Sequence, residues 1–144
     1  MKYLLDTDHI SCIQRRSRQD FQRLKSRMAR YSSQDFALSI ISFHEQTLGA
    51  RTFINRAKNN AEILKGYTLL REILQDFSKF PVLAFDEKAL MIFERLQKKK
   101  VRIGTMDLKI ASIALSRDLV LLTRNDQDFI KVPDLKMEDW ISEV

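Results

Sequence analysis

Apolar positions along this chain fall into two alternating patterns: short runs, broken in one case only by Ser39, and stripes at helical spacing. Tyr3–Asp6 opens with a run of three apolar residues before its aspartate, and Phe36–Ile41 ("FALSII"), Pro81–Phe85 ("PVLAF") and Leu119–Thr123 ("LVLLT") repeat the pattern. Such runs suit strands buried on both faces. Leu135–Met137 is a shorter candidate for a fifth strand.

The stretches between them read as helices. Residues 17–31 set Phe21, Leu24, Met28 and Tyr31 on one face of a basic helix, and a second helix is expected from Ser42 to about Lys58. The clearest stripe is at 61–77, through Ile63, Leu64, Tyr67, Leu70, Ile73, Leu74 and Phe77, and it reads as core or as a dimer surface. Asp86 is placed to cap a helix facing inward with Leu90, Phe93 and Leu96. A last long helix runs from Thr105 to about Ser116. With two prolines, three glycines and no repeat, nothing marks a linker. The expectation is a single domain over residues 1–144, a three-layer α/β/α sandwich around a mainly parallel sheet of four or five strands.

That architecture gives the acidic residues a location. Ligands of open parallel sheets sit outside the carboxyl ends of the strands. Asp6 and Asp8 follow the first strand, Glu45 follows the second in what reads as the first turn of a helix, and Asn125, Asp126 and Asp128 follow "LVLLT". Asp107 starts the Thr105 helix. Singly, each has an ordinary explanation: Asp8 as the N-cap of a helix over 9–15, Glu45 and Asp107 as complements to helix dipoles, Asp126 and Asp128 in an exposed turn. Together they conflict, because two carboxylates about 4 Å apart repel by about 4 kcal/mol at an effective dielectric of about 20. A hard divalent cation, Mg²⁺ or Mn²⁺, resolves the conflict with oxygen ligands and retained waters. One cysteine and two separated histidines exclude a soft-metal site.

Charge sharpens this. The net charge of +6 is uneven: seven basic residues (Arg15, Arg16, Arg18, Arg23, Lys25, Arg27, Arg30) face one acid, Asp20, and Arg95–Arg102 adds Lys98, Lys99 and Lys100. Solvated helix faces would account for these runs, but basic surface beside a carboxylate metal site also suits a nucleic acid and phosphodiester hydrolysis. The lone Cys12, the early return of charge at Asp6 and the absence of a stretch of roughly 20 apolar residues point to a cytoplasmic protein without membrane contact.

Four blocks, "YLLDTDHIS", "LSIISFHEQTLGA", "IGTMDLKIASIAL" and "LLTRNDQDFIKVPDLKMEDW", occur in this order across essentially the whole chain. They resemble the blocks of PIN-domain ribonucleases, and more narrowly of VapC-type toxins of type II toxin–antitoxin modules. The resemblance implies the PIN fold, Mg²⁺- or Mn²⁺-dependent cleavage of RNA to 5′-phosphate and 3′-hydroxyl ends, frequent homodimers, and inhibition by a small VapB-like antitoxin. It carries the family's first three acids onto Asp6, Glu45 and Asp107. The fourth falls on Asp128 as the charged contributor, with Asn125 a neutral ligand and Asp126 a substitute. Asp8 stands where asparagine is commoner, and either adds charge or caps. Ser42 and Thr123 match hydroxyl positions that orient the acids. Arg15, Arg16 and Lys98–Lys100 are candidate contacts to the RNA backbone.

Two rival readings share these features. A non-catalytic, RNA-binding PIN relative would keep the acids without cleaving. A receiver-type phosphoacceptor would use Asp86 in "PVLAFDEK". Neither His9 nor His44 is given a catalytic role, Cys12 reads as a small buried apolar residue, and Trp140 as packing or interface.

Overall fold

The computed structural model describes residues 1–16 and 19–142, so Ser17 and Arg18, the start of the expected basic helix, lie outside the described residues. The described chain forms five strands and seven α-helices in the order β1 (Tyr3–Leu5), α1 (Thr7–Arg15), α2 (Gln19–Met28), β2 (Phe36–Ser39), α3 (Ile40–Asn55), α4 (Asn60–Phe77), β3 (Val82–Leu83), α5 (Glu87–Lys98), α6 (Thr105–Ser116), β4 (Val120–Leu122), α7 (Asp126–Phe129) and β5 (Met137–Glu138). The sheet order is β3-β2-β1-β4-β5, and every pairing is parallel.

The apolar runs are buried on both faces because neighbouring strand residues serve different cores. Leu4, Ala37 and Leu121 pack with Leu96 of α5 and with Leu108, Ile110, Ala111, Ile113 and Ala114 of α6. Tyr3, Leu5, Phe36, Leu38 and Leu122 pack on the other face with Ile10, Cys12, Leu24, Ile73 and Phe77, from α1, α2 and α4. The three-layer expectation holds, with the sheet parallel throughout and five-stranded.

The helix starts differ from the sequence reading in ways that matter for the acids. β1 ends at Leu5, and Asp6 itself is the N-cap of α1, accepting the Thr7 N–H at 2.8 Å. Asp8 therefore does not cap. β2 stops at Ser39, whose hydroxyl accepts the Ser42 N–H, so α3 begins at Ile40 and absorbs the expected end of the strand. Glu45 consequently lies in the second turn of α3 rather than the first. The fifth strand is Met137–Glu138, shifted past the expected 135–137.

Two helical faces also differ. On α5 the buried residues are Ala89 and Leu96, while Leu90 is exposed. On α4 only Gly66, Ile73 and Phe77 are buried, while Leu64, Tyr67 and Leu74 face outward. Its periodicity reported an amphipathic helix correctly, but a broad apolar stripe cannot say which part meets the core. Among the described residues no helix is long and apolar enough to cross a membrane.

Gly66 sets how closely α4 approaches α3, the helix that carries Glu45. A Cβ at this position would lie 2.5 Å from Ile54 Cγ1 and 3.2 Å from Phe53 Cδ1. Ile54 is branched and cannot swing aside freely. Gly66→Ala is therefore expected to lower the unfolding free energy by about 1–3 kcal/mol, despite the gain of about 1 kcal/mol in helix propensity. Urea unfolding of the two proteins measures the sign directly.

Candidate metal-dependent nuclease site

Four elements bring oxygen ligands to the carboxyl edge of the sheet. Asp6 follows β1 directly and is almost fully buried. Its Oδ1 accepts the Thr7 N–H and its Oδ2 accepts the Thr123 hydroxyl at 2.8 Å. Thr123, itself buried, follows β4 and also accepts the Asn125 N–H at 3.0 Å. Glu45 is reached from α1: the Thr7 hydroxyl lies 3.0 Å from Glu45 Oε1 and 3.1 Å from Ser42 Oγ. Ser42 is held in turn by Ser39 at the start of α3.

The other half of the site is built by α6 and α7. Asp107 lies in the first turn of α6. The side-chain amide of Asn125 donates to Asp128 Oδ2 at 3.1 Å and approaches Asp107 Oδ2 at 3.4 Å. Although Asn125 occupies the N-cap position of α7, its side chain makes no capping bond and reaches the acids instead. Asp126 is exposed at the start of the same helix. The geometry therefore groups Asn125 and Asp128 with Asp107, and leaves Asp126 aside.

Electrostatics bind these carboxylates into one group. Burial pushes the Asp6 carboxyl up to about 7, with the Asp8 charge next in weight and Asp107 adding to it, against the opposing hydrogen bonds from Thr123 and Thr7. Asp107 is also raised, first by burial and then by Glu45, Asp128 and Asp8. Among the described residues no lysine, arginine or histidine forms an ion pair with Asp6, Glu45 or Asp107. The negative charge is left without a protein counter-ion.

A hard divalent ion fits this donor set. Among the described residues no three His, Cys, Asp or Glu side chains converge into a ready-made cage. Mg²⁺ does not need one, since it keeps several waters and takes one or two carboxylates directly. The available donors are carboxylate, amide and hydroxyl oxygens, and the two raised acids are those that a cation would return to their ionised form.

The remaining sequence candidates divide. Thr7 holds Glu45, a role the sequence reading did not assign; its place between Asp6 and Asp8 was visible, but its partner 38 positions away was not. Asp86 caps α5 through the Ala89 N–H and lies 3.9 Å from Arg117, which accounts for it without phosphoacceptor chemistry. His9 is fully buried and hydrogen-bonded at both ring nitrogens, so neither is free for a substrate, whereas His44 is exposed on α3. Cys12 and Trp140 are buried packing residues.

The basic residues have local structural roles as well. Arg15 pairs with Asp20 at 3.9 Å, and Arg16 ends α1 in the left-handed conformation. Lys98 is in the last turn of α5, and Lys100 (φ 57°) closes that helix. The Lys100 N–H donates to Gln97 O and the Val101 N–H to Leu96 O, the pairing of a Schellman turn. Arg18 lies outside the described residues.

Because the shifts of Asp6 and Asp107 are upward, the folded chain retains protons that the unfolded chain releases above about pH 4. Their contribution to stability is complete below that pH and is lost as pH rises through about 7 for Asp6. In EDTA, unfolding free energy is expected to fall between pH 5 and 7.5, at up to about 1.4 kcal/mol per pH unit for each proton. Asp6→Asn should flatten the slope. Urea titrations at both pH values test this, and a slope unchanged by the substitution would contradict the assignment to Asp6.

Comparison with known proteins agrees with this architecture. The family model described as "PIN domain" matches residues 3–135. The chain is 29% identical to the tRNA(fMet)-specific endonuclease VapC of Salmonella typhimurium, an alignment covering 97% of this chain and 98% of that protein. Among solved structures it resembles VapBC-1 from nontypeable Haemophilus influenzae, with a TM-score of 0.77, 26% identity and coverage of 99% of this chain and 100% of that one. It also resembles DNA-bound VapBC from Salmonella typhimurium, with a TM-score of 0.74, 25% identity and coverage of 97% and 98%. A match over nearly the whole length places this chain in the PIN-domain family.

Proposed function

We propose that this PIN-domain chain is a divalent-metal-dependent endoribonuclease and the toxin of a VapBC-type toxin–antitoxin pair. The observation that carries the reading is the grouping of Asp6, Glu45, Asp107 and Asp128 at the carboxyl edge of the sheet, held by Thr7, Thr123 and Asn125, with an ion-pair partner among the described residues only for Asp128, which lies 3.8 Å from Lys131. The full-length likeness to a VapC endonuclease supports RNA as the substrate, and the likeness to VapBC complexes supports a small antitoxin partner.

Asp6, Glu45, Asp107 and Asp128, with Asn125 as a neutral donor, would hold Mg²⁺ or Mn²⁺. When bound, the ion supplies a low-pKa water and neutralises charge at the phosphate. The protein's own contribution is positional. Thr123 fixes the Asp6 carboxylate through Oδ2, Thr7 fixes Glu45, Ser42 supports Thr7, and Asn125 ties Asp128 towards Asp107. Preorganised ligands need no rearrangement when charge develops on the substrate. The expected products are a 5′-phosphate and a 3′-hydroxyl.

Arg15, Arg16 and Lys98–Lys100 are exposed cations available to the RNA backbone. The outward apolar face of α4, with Leu64, Tyr67 and Leu74, offers surface to the antitoxin or to a second copy in a homodimer. The buried, unpaired Cys12 is compatible with a reducing cytoplasm.

The primary test incubates antitoxin-free protein with total cellular RNA in Mg²⁺, Mn²⁺ or EDTA. Discrete cleavage is expected with metal and none with EDTA, with losses of about 100-fold or more for Asp6→Asn and Asp107→Asn. Folded protein that binds metal but cleaves no RNA would overturn the nuclease reading. Thr7→Val, which removes the hydroxyl that orients Glu45 and meets Ser42, is expected to cost roughly 10–100-fold. RNA affinity should fall steeply with salt, with a shallower slope when Lys98–Lys100 are neutralised. Filter binding from 50 to 300 mM salt would read that slope.

A further inference from the structure

Asp8 belongs to the first sequence block but is neither a helix cap nor paired with the other acids through Asn125. Its two oxygens are both occupied by donors. Oδ2 accepts the main-chain N–H of Arg124 at 2.9 Å and lies 3.4 Å from the Thr123 hydroxyl, whose single proton is engaged by Asp6 in a shorter bond of 2.8 Å. Oδ1 lies 2.6 Å from His9 Nδ1.

The role of His9 follows from its other nitrogen. The Trp140 main-chain N–H points at His9 Nε2 at 3.2 Å. A peptide N–H can only donate, so Nε2 is the accepting nitrogen, and the ring proton resides on Nδ1, where it is donated to Asp8. Trp140 is a firm anchor. Its indole is 1% exposed, packs against Tyr3, Tyr31 and Phe36, and lies beneath the Arg27 guanidinium at 4.8 Å.

Position 8 is thus met by donors from both sides. A carboxylate satisfies two donors, because both of its oxygens accept. An asparagine in either orientation turns its NH₂ against one of them, breaking either the bond to Arg124 or the bond to His9. The chemistry requires aspartate here, for reasons of hydrogen-bond polarity rather than metal ligation.

We infer that Asp8 and His9 are positioning residues: a strut running from the C-terminal segment through His9 and Asp8 to the Arg124 N–H, which holds the Thr123–Asn125 turn so that Thr123 meets Asp6 and Asn125 meets Asp107 and Asp128. The inference rests on the nuclease reading only for its effect on turnover. The strut itself is a property of the fold. It joins α1 to two segments that lie more than a hundred residues further along the sequence, the β4–α7 turn and the chain after β5. It also explains why a buried histidine stands beside an acidic site without access to substrate.

The test uses the full-length, metal-free protein first. In Asp8→Asn the Arg124 amide and the Asn125 side-chain amide are expected to shift in ¹⁵N NMR spectra and to exchange with solvent at least about tenfold faster, while amides of α4 and α5 stay unchanged. His9→Asn, which cannot span from Asp8 to Trp140, should perturb the same Arg124 and Asn125 signals. The Mn²⁺ dissociation constant, read by calorimetry, should rise by about 10–100-fold in both variants. In the double variant it should rise no further than in the more affected single one, because the two residues act as one unit.

If wild type cleaves RNA, kcat should fall by a similar factor, with KM changed less than about threefold. Independent, multiplicative effects of the two substitutions would overturn the strut, as would unperturbed Arg124 and Asn125 signals in Asp8→Asn. If the NMR and calorimetric effects appear but the wild type cleaves no RNA, the strut stands and only the nuclease reading fails. Loss of Tm with metal affinity unchanged would reduce the pair to structural support.

Discussion

The site depends on negative charge that the protein does not neutralise. Asp6 is buried at the end of the central strand, and its carboxyl is driven up to about 7 by burial and by the charges of Asp8 and Asp107. A parallel sheet creates the circumstance: every strand ends on the same edge, so acids that follow different strands are collected there irrespective of their distance in sequence. Ordinary folding would select against such a group, since like charges in a poorly solvated pocket repel. Its presence makes sense as a site that a divalent cation completes.

Short side chains keep Asp6 and Glu45 ordered without a cation from the protein among the described residues, while Asp128 at the edge lies 3.8 Å from Lys131. Thr7, Ser42 and Thr123 each carry one hydroxyl and connect different elements: α1 to α3, and β4 to β1. Hydroxyls suit this work because they donate to a carboxylate while accepting from a neighbour, as Thr123 does between Asp6 and the Asn125 N–H. Lysine or arginine in their place would have stabilised the acids more strongly, but would have neutralised the charge that the proposed cation is to meet. The same economy governs Asn125, whose amide reaches two carboxylates without adding charge.

The sheet and most helices were legible because local pattern and global fold agree. "FALSII" and "LVLLT" are apolar except for Ser39 and Thr123, and both faces of the sheet are indeed covered. Where the reading slipped, two local preferences competed. Ile40 and Ile41 look like strand, but Ser39 captures the Ser42 N–H and begins α3. The α4 stripe, read as core or dimer surface, divides: Ile73 and Phe77 are buried while Leu64, Tyr67 and Leu74 are outside, because periodicity reports a face and not what covers it. Asp8 looked like a cap, but Asp6, one step closer to the strand, takes the cap.

By itself the sequence determined the layers, the approximate strands, and which acids follow which strand, since these depend on side-chain periodicity and chain order. It also carried the family resemblance, since the four blocks are contiguous. Only the tertiary structure decided which hydroxyl meets which carboxylate, that Asn125 and Asp128 join Asp107 while Asp126 does not, and that Asp8 faces two donors. Those contacts join residues far apart in the chain, Asp6 to Thr123, Thr7 to Glu45 and His9 to Trp140. Hydrogen bonds are directional and act over about 3 Å, so their partners are fixed only once the strands have paired and brought those ends together.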